Sequence, residues 1–273
     1  MRKNPKVIYY TDELNDEFSG DSIIPRRIDE TYWYGDNHLR FKVLHFIFYK
    51  LLAVPFGFFY LKFKYAHKII NKKVLKPYKN KAYFMYANHT NNLADPFIPS
   101  LISFPYSIYD IVNANNVSMP VLGVINKYLG ALPLPDNLIA ARNFMDTIKL
   151  RISENKGIMI YPEAHIWPFY TRIRPFSDAS FKYPVQFECP VFCFTNTYQK
   201  RRFSTMPRIV TYVDGPFFAD QNLEKKLKKT ELRNKVYNKM CERSLLNNVE
   251  LIKYLPSQAQ EENCQQEEKK EID

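Results

Sequence analysis

The sequence is poor in glycine and cysteine, and each shortage excludes a class of protein. Only seven glycines occur in 273 residues, and none forms the glycine-rich loop with which nucleotide-hydrolysing enzymes cradle phosphate. The four cysteines form neither a Cys-x-x-Cys pair nor a metal-ligand spacing with histidines, which argues for a reducing compartment and predicts no structural zinc. Cys193 is either a nucleophile or a buried strand thiol, and the second interpretation is favoured. The cysteines are Cys189, Cys193, Cys241 and Cys264.

Acidic residues are too few to balance the basic ones. The chain has 39 Lys and Arg against 28 Asp and Glu, a net charge of +11. This excess predicts anionic partners, which are phospholipid headgroups, coenzyme phosphates or nucleic acid, and composition alone does not choose among them. The 46% of apolar residues is enough for the core of one catalytic domain with appendages.

The two ends of the chain lack the apolar character of such a domain. The first residues show neither an apolar core nor a cleavage-like site, so no secretory signal is predicted and residues 1–36 are interpreted as an extended arm. Residues 256–273 are rich in Gln and Glu and are predicted to be disordered. Over residues 79–255, strand-like runs alternate with helical patterns, which predicts a single α/β domain with a mixed sheet flanked by helices.

An apolar, aromatic run over residues 43–61 precedes that domain and approaches the length of a membrane-spanning helix. Lys50 lies within the run, and Pro55 and Gly57 break it, so an interfacial helical hairpin over residues 37–78 is favoured over a full span. A pair of core helices is the alternative. The eight lysines that follow, without one acidic residue, predict attraction to the anionic cytoplasmic face of a membrane, while a nucleic-acid patch lacks a supporting fold signature. They are Lys62, Lys64, Lys68, Lys72, Lys73, Lys76, Lys79 and Lys81.

A histidine and an aspartate follow a strand-like run at residues 82–87. His89 should therefore lie at the carboxyl end of a buried strand, where the ligand sites of open α/β sheets are found. A neutral imidazole can take a proton from a hydroxyl, and the carboxylate of Asp95 can fix its tautomer. Six residues of one helix turn about 240°, so the two meet only if His89 is on the loop and Asp95 is in the first turn after it. The alternative is that Asp95 only caps a helix that starts at Pro96.

Four sequence blocks, in this order across about residues 80–200, resemble the glycerolipid acyltransferase family, which includes the 1-acylglycerol-3-phosphate acyltransferases. The order makes the resemblance more specific than any single block. The blocks are Asn88-His89 with Asp95-Pro96; Met119-Pro120-Val121-Leu122-Gly123 with Gly130-Ala131-Leu132-Pro133-Leu134-Pro135; Gly157-Ile158-Met159-Ile160-Tyr161-Pro162-Glu163, followed by Phe176-Ser177-Asp178-Ala179-Ser180-Phe181; and Cys189-Pro190-Val191-Phe192-Cys193-Phe194.

Three departures from the family pattern leave the acceptor lipid open. Five residues, where the family has four, separate His89 from Asp95, and Ala94 occupies the usual aspartate position. The family's Gly-Thr-Arg is replaced by Ala164-His165-Ile166, and Asp136 stands where a phosphate-binding arginine is usual.

The resemblance implies transfer of an acyl chain from a coenzyme A or acyl-carrier-protein thioester to a lysophospholipid hydroxyl. His89 would be the general base and Asp95 its partner, and no bound cofactor or metal is implied. Glu163 is predicted to accept hydrogen bonds from the acceptor or to hold the site together. The alternatives are a catalytically silent membrane-binding relative and, less favoured, a basic nucleic-acid binder. The predicted ligands for the acceptor phosphate are Arg142, Arg172 and Arg174.

Overall fold

A computed structural model describes residues 5–20 and 23–257 of the chain. Its nine strands form two sheets. The strands are β1 (Lys6–Tyr10), β2 (Lys68–Ile70), β3 (Tyr83–Ala87), β4 (Ile108–Val112), β5 (Ala131–Pro133), β6 (Gly157–Ile160), β7 (Val191–Gln199), β8 (Arg208–Phe217) and β9 (Ile252–Pro256).

The larger sheet has seven strands in the order β2-β8-β7-β3-β6-β4-β5. Every neighbouring pair in it is parallel except β7 and β8, so the predicted mixed sheet is confirmed. The central strand β3 is buried along its whole length. Because side chains alternate along a strand, Phe84 and Tyr86 enter one apolar cluster, and Met85 and Ala87 enter the other.

Helices cover both faces of this sheet. The cluster around Phe84 includes the helical residues Phe144 and Val236, whereas the cluster around Met85 includes the helical residues Leu61 and Ile98. Among the described residues the helices are α1 (Leu39–Tyr65), α2 (Ile98–Ser103), α3 (Asn115–Ser118), α4 (Leu122–Asn126), α5 (Leu138–Ser153), α6 (Lys182–Gln186) and α7 (Lys225–Ser244), with 3₁₀ turns at Lys72–Tyr78 and Ala179–Phe181.

Helix α1 corrects the predicted hairpin over residues 37–78, because it is continuous through both residues that were expected to break it. Phe46–Ala53 is π-helical, and the wider turn makes room for the ring of Pro55, which would clash with the preceding turn of a regular α-helix. Gly57 serves close packing, since a Cβ there would lie 2.7 Å from the side chain of Phe97.

One side of α1 packs on the sheet and the other is exposed. Tyr49, Leu61 and Tyr65 are buried. By length and composition, the helix is long and apolar enough to cross a membrane. Only 22% of its most apolar stretch is buried, which argues against a core helix. Its large exposed apolar residues are Leu39, Val43, Phe46, Ile47, Leu51, Leu52, Phe56, Phe58, Phe59 and Phe63.

The first and last described strands, β1 and β9, form a separate two-stranded parallel sheet. Tyr10 and Tyr254 from this sheet pack on the buried indole of Trp167, with ring centroids 4.9 and 4.8 Å away. Residues 1–36 were interpreted as an extended arm; the described part of them contributes β1 and covers the loop that contains Trp167. Residues 258–273 of the predicted disordered tail lie outside the described residues.

Candidate active site

His89 lies at the carboxyl edge of the seven-stranded sheet, two residues beyond the end of β3. Its backbone N–H donates to Glu163 Oε2 at 3.1 Å, and its carbonyl accepts from the backbone N–H of Trp167 at 3.2 Å. The imidazole stacks on the ring of Tyr161, with centroids 4.3 Å apart and planes inclined by 19°. The hydroxyl of Tyr161 donates to the carbonyl of Asp95 at 2.8 Å. Backbone and ring contacts together fix the imidazole in position.

Asp95 meets His89 in spite of the additional residue between them. The Nδ1 of His89 lies 2.8 Å from Asp95 Oδ2, and that carboxylate is fully buried. Residues 92–97 form a turn, in which Asn91 Oδ1 accepts from the backbone N–H of Ala94 at 3.0 Å. The turn takes up the extra residue and brings the carboxylate back to the loop after β3.

The carboxylate of Asp95 does not cap helix α2. It accepts hydrogen bonds from the backbone N–H groups of Thr90 and Asn91, both at 2.9 Å, and these residues precede it. A capping side chain accepts from the first turn that follows it. Helix α2 begins at Ile98, and its N-cap residue Phe97 supplies no side-chain cap. The geometry therefore excludes the alternative that Asp95 only caps a helix.

Only one nitrogen of the His89 ring is used by the protein. Three donors converge on Asp95 Oδ2, as befits an ionised carboxylate, so Nδ1 carries the proton that is shared with it. Nε2 has no hydrogen-bond partner in the part of the chain that the structure describes. The His89 side chain is 18% exposed. A basic lone pair therefore faces outward from a rigid, buried support.

A chain of hydrogen bonds continues behind Asp95 and was not predicted from the sequence. Asn196 Nδ2 donates to Asp95 Oδ1 at 3.3 Å, and Thr211 Oγ1 donates to Asn196 Oδ1 at 2.6 Å. His67 Nε2 lies 2.8 Å from Thr211 Oγ1 and is its donor. Burial lowers the pKa of His67 to about 4, so this ring is neutral. The available signal was the polar Thr-Asn-Thr interruption within the buried strand β7.

Glu163 supports the site from within. Its side chain is fully buried, and its oxygens accept from the backbone N–H groups of His89 at 3.1 Å and Arg174 at 3.2 Å. Burial raises the pKa of this carboxyl, and the nearby guanidinium of Arg174 opposes the rise. Of the two predicted roles, the geometry matches holding the site together. The prediction that Glu163 contacts substrate is corrected, because neither oxygen reaches the surface.

Arg174 is also corrected as a ligand for the acceptor phosphate. Its guanidinium is buried 3.6 Å from Glu163 Oε2 and donates to the carbonyls of Glu163, His165 and Glu13. It lies over the ring of Trp167, 4.9 Å from the centroid. A guanidinium enclosed in this way ties the Glu163 loop to the N-terminal segment and is closed to a substrate phosphate.

Arg142 and Arg172 differ from Arg174 in being exposed. Arg142 lies on α5, and Arg172 lies on the loop between β6 and α6. Within residues 5–20 and 23–257, neither side chain forms a hydrogen bond or an ion pair. Their binding to an acceptor phosphate stays a prediction.

The segment Ala164-His165-Ile166, which stands where the family has Gly-Thr-Arg, contacts the N-terminal segment. Glu17 accepts from the backbone N–H of Ile166 at 3.2 Å, and its other oxygen lies 3.3 Å from His165 Nδ1. Asn92, beside the dyad, donates to the carbonyl of Ser19 at 2.9 Å. Residues 17–19 thus bridge the loops that follow β3 and β6, and they form part of the wall around His89.

Other chemistry receives little support in this part of the chain. No group of three or more His, Cys, Asp or Glu side chains among the described residues is placed to hold a metal ion. Cys193 is fully buried, and burial raises the pKa of its thiol far above the usual range. The thiolate needed for nucleophilic attack is therefore disfavoured. Of the polar groups at this edge, His89 Nε2 is the one best placed for reaction.

Comparisons with known proteins found a family model and a solved structure that are similar to this chain. Residues 67–195 match the family model described as Acyltransferase. No curated protein matches the sequence. The fold is similar to the crystal structure of the 1-acyl-sn-glycerophosphate (LPA) acyltransferase PlsC from Thermotoga maritima, with a TM-score of 0.52 and 14% sequence identity over 77% of this chain and 81% of that chain. The matched residues contain His89, Asp95 and Glu163, and the predicted resemblance to the glycerolipid acyltransferase family is confirmed over residues 67–195.

Proposed function

We propose that this protein transfers a fatty acyl chain from a coenzyme A or acyl-carrier-protein thioester to a hydroxyl of a lysophospholipid, as in 1-acylglycerol-3-phosphate acylation. The observation that carries the proposal is the contact between His89 Nδ1 and the buried Asp95, with Nε2 left facing outward. The similarity to PlsC, the 1-acyl-sn-glycerophosphate (LPA) acyltransferase, supports this acceptor class.

The reaction needs only one proton acceptor from the protein. His89 Nε2 removes the acceptor's hydroxyl proton as that oxygen attacks the thioester carbonyl. The new C–O bond forms, the C–S bond breaks, and the proton passes from the imidazolium to the departing thiolate. Asp95 stabilises the imidazolium between these steps. A thioester is already activated, so no acyl-enzyme is required, and general-base help contributes about 10²–10⁴-fold.

The lipid substrates place this reaction at a membrane. The exposed aromatic side of α1 matches the apolar face of an interfacial helix, with Phe63 74% exposed near its end. The lysines of residues 62–81 follow directly, and they suit the anionic cytoplasmic leaflet. We therefore assign the protein to the cytoplasmic face of a phospholipid membrane, with α1 lying in the interface.

The decisive experiment is a turnover assay of the purified full-length protein on membranes. Long-chain acyl-CoA or acyl-carrier protein would be supplied with a panel of lysophospholipids, and acylated lipid would be measured. We expect acylation of at least one acceptor, abolished by His89→Ala. Binding of membranes without turnover on any acceptor would instead identify a silent lipid-binding relative.

A silent relative is the second candidate because of one specific observation. Arg174, which contacts Glu163, is enclosed by the protein, and Ala164-His165-Ile166 supplies no replacement guanidinium. Comparing anionic liposomes with RNA in a binding assay tests the less favoured nucleic-acid alternative. We expect binding to liposomes and none to RNA at physiological salt.

A further inference from the structure

A basic pocket lies at the opposite edge of the sheet from His89. It occupies about 260 Å³ between the 3₁₀ turn Lys72–Tyr78, the end of α2 and the first residue of β3, Tyr83. Four lysines and three tyrosines line it, without an acidic residue. Strand β3 has five residues, which span roughly 17 Å, so the pocket is distinct from the site at the strand's other end. Its lysines are Lys72, Lys73, Lys76 and Lys79.

The positive charges of this basic pocket are not neutralised by the protein. Lys73, Lys76 and Lys79 are exposed and have no hydrogen bond or ion pair within the described ranges. Lys72 is half-buried and donates to the carbonyl of Leu101 at 2.7 Å. Burial, and then the charge of Lys79, lowers the pKa of Lys72. A bound anion would relieve this mutual repulsion, because it favours the charged form of each lysine.

The floor and walls of the basic pocket suit a ligand that is anionic at one end and apolar at the other. Tyr83 donates to Ser103 Oγ at 2.8 Å, and both residues are buried. The floor of the pocket therefore consists of polar groups that hydrogen bonding holds in place. The walls are mainly Leu75, tyrosine rings and the aliphatic stems of the lysines. Such stems cover apolar groups while their ammonium ends reach a phosphate.

The basic pocket opens on the side of the sheet that carries the exposed apolar helix. Lys72 is tied to α2, and the turn before α2 packs on α1 through Phe97 and Gly57. Leu75 and Tyr83 belong to the same apolar cluster as Leu61 of α1. If α1 lies in a membrane interface, the pocket is beside the headgroups of that leaflet.

We propose that this pocket binds the phosphate headgroup of an anionic phospholipid that serves as a membrane ligand, separate from the acceptor at His89. The lipid's phosphate lies among Lys73, Lys76 and Lys79, and the beginning of its acyl chains lies against the tyrosine walls. The bound lipid fixes the orientation of the protein on the leaflet, which scattered surface lysines cannot do.

The test compares two variants that lose the same charge. One carries Lys73→Gln, Lys76→Gln and Lys79→Gln in the pocket; the other carries Lys62→Gln, Lys68→Gln and Lys81→Gln, which are exposed lysines outside it. Binding of the full-length protein to phosphatidylcholine vesicles doped with phosphatidic acid would be measured by co-sedimentation. We expect the pocket variant to lose at least about tenfold more affinity than the control, whereas charge attraction alone weakens both equally. Equal losses would overturn the proposal.

Soluble probes distinguish the sources of the phosphate. Calorimetry with a short-chain phosphatidic acid should show binding that the pocket variant loses and the control variant retains. Inorganic phosphate binding as tightly as the lipid would overturn the lipid assignment in favour of a free-anion site. Pocket-dependent binding of coenzyme A without the lipid would overturn it in favour of the donor's nucleotide. These readouts do not depend on turnover, so they remain valid if the acyl-transfer proposal fails.

Discussion

The two ends of strand β3 carry opposite kinds of polar site. At the carboxyl end, Asp95, Glu163 and Arg174 are buried, and each is held by several protein hydrogen bonds. At the amino end, the pocket lysines Lys73 and Lys76 are exposed and, within the described residues, unpaired. In the first arrangement, the charged side chains hold one imidazole in position. The second leaves its charges available to a ligand from outside.

The comparison distinguishes charged side chains that hold an active site together from charged side chains that are free to bind a ligand. An arginine near a suspected active site is readily assigned to substrate, yet Arg174 is buried, donates to three carbonyls and pairs with a carboxylate. The pocket lysines, far from the reacting group, are the better anion ligands.

The largest effect is expected for Arg174→Ala. Removing one partner of a buried ion pair leaves Glu163 uncompensated, and such changes cost about 3–5 kcal/mol of unfolding free energy. Lys76→Ala at the other end should leave the denaturation midpoint unchanged, since no described group depends on it. Chemical denaturation measures both. A stable Arg174→Ala protein with only a raised acceptor KM would return Arg174 to the substrate site.

Next in size is the loss of the base itself. His89→Ala should lower kcat by about 10²-fold or more, because general-base help of that order disappears. Steady-state kinetics on the preferred lysophospholipid provides the measurement, with vesicle binding and circular dichroism as controls that should not change. Turnover close to the wild-type rate would remove His89 from the mechanism.

The partner of the base should give a smaller but clear loss. Asp95→Asn keeps the shape of the side chain but removes the charge that stabilises the imidazolium, so kcat should fall strongly, by part of the roughly 10²–10⁴-fold that general-base help contributes. A mere helix cap predicts no change, because Asn caps as well as Asp. Kinetic parity between Asp95→Asn and wild type would therefore reject Asp95 as the orienting residue.

The histidine at the end of the hydrogen-bond chain predicts a dependence of stability on pH. The folded pKa of His67, about 4, lies below its ordinary 6.5, so the unfolded state binds the proton first as pH falls. The free energy of unfolding should drop between pH 6.5 and 5 by about 2 kcal/mol more in wild type than in His67→Gln. Parallel pH curves for the two proteins would show that His67 is not buried as a neutral ring.

The smallest effects are expected from the exposed arginines. If Arg142 or Arg172 binds the acceptor phosphate, its change to Ala should raise the acceptor KM several-fold while the donor KM and kcat stay the same, because uniform binding is lost. Arg40→Ala, a change at another exposed arginine, is the control. Equal, negligible effects at Arg142 and Arg172 would mean that the phosphate site lies elsewhere.

Local sequence signals predicted the sheet and allowed His89 to meet Asp95, although they left open the alternative that Asp95 only caps a helix. The aromatic run before His89 predicts a buried strand, and only a turn after it allows six residues to close on themselves, as residues 92–97 do. The predicted break at Pro55 and Gly57 was wrong, because their local tendency to break helices is overridden by a π-helical segment and by packing on Phe97. Local rules carry no information on such tertiary contacts.

Contacts distant in sequence account for the remaining differences. Asn196 reaches Asp95 across 101 residues, and no spacing rule connects them. The sequence around Arg174 shows that a cationic side chain is present, but it does not show whether the folded protein buries that side chain. The pairing of β1 with β9 joins the two ends of the described chain, where short, partly polar strands give weak signals on their own.

That pairing has a consequence for how the protein is made. The backbone of Trp167 supports the carbonyl of His89, and Tyr254 of β9 stacks on the same indole and donates to the carbonyl of Pro168 at 3.0 Å. Chains leave the ribosome from the N-terminus onward. A nascent chain therefore exposes His89 and Asp95 long before residues 252–256 emerge to close the wall behind them. The wall around His89 can therefore be completed only after residues 252–256 have been synthesised.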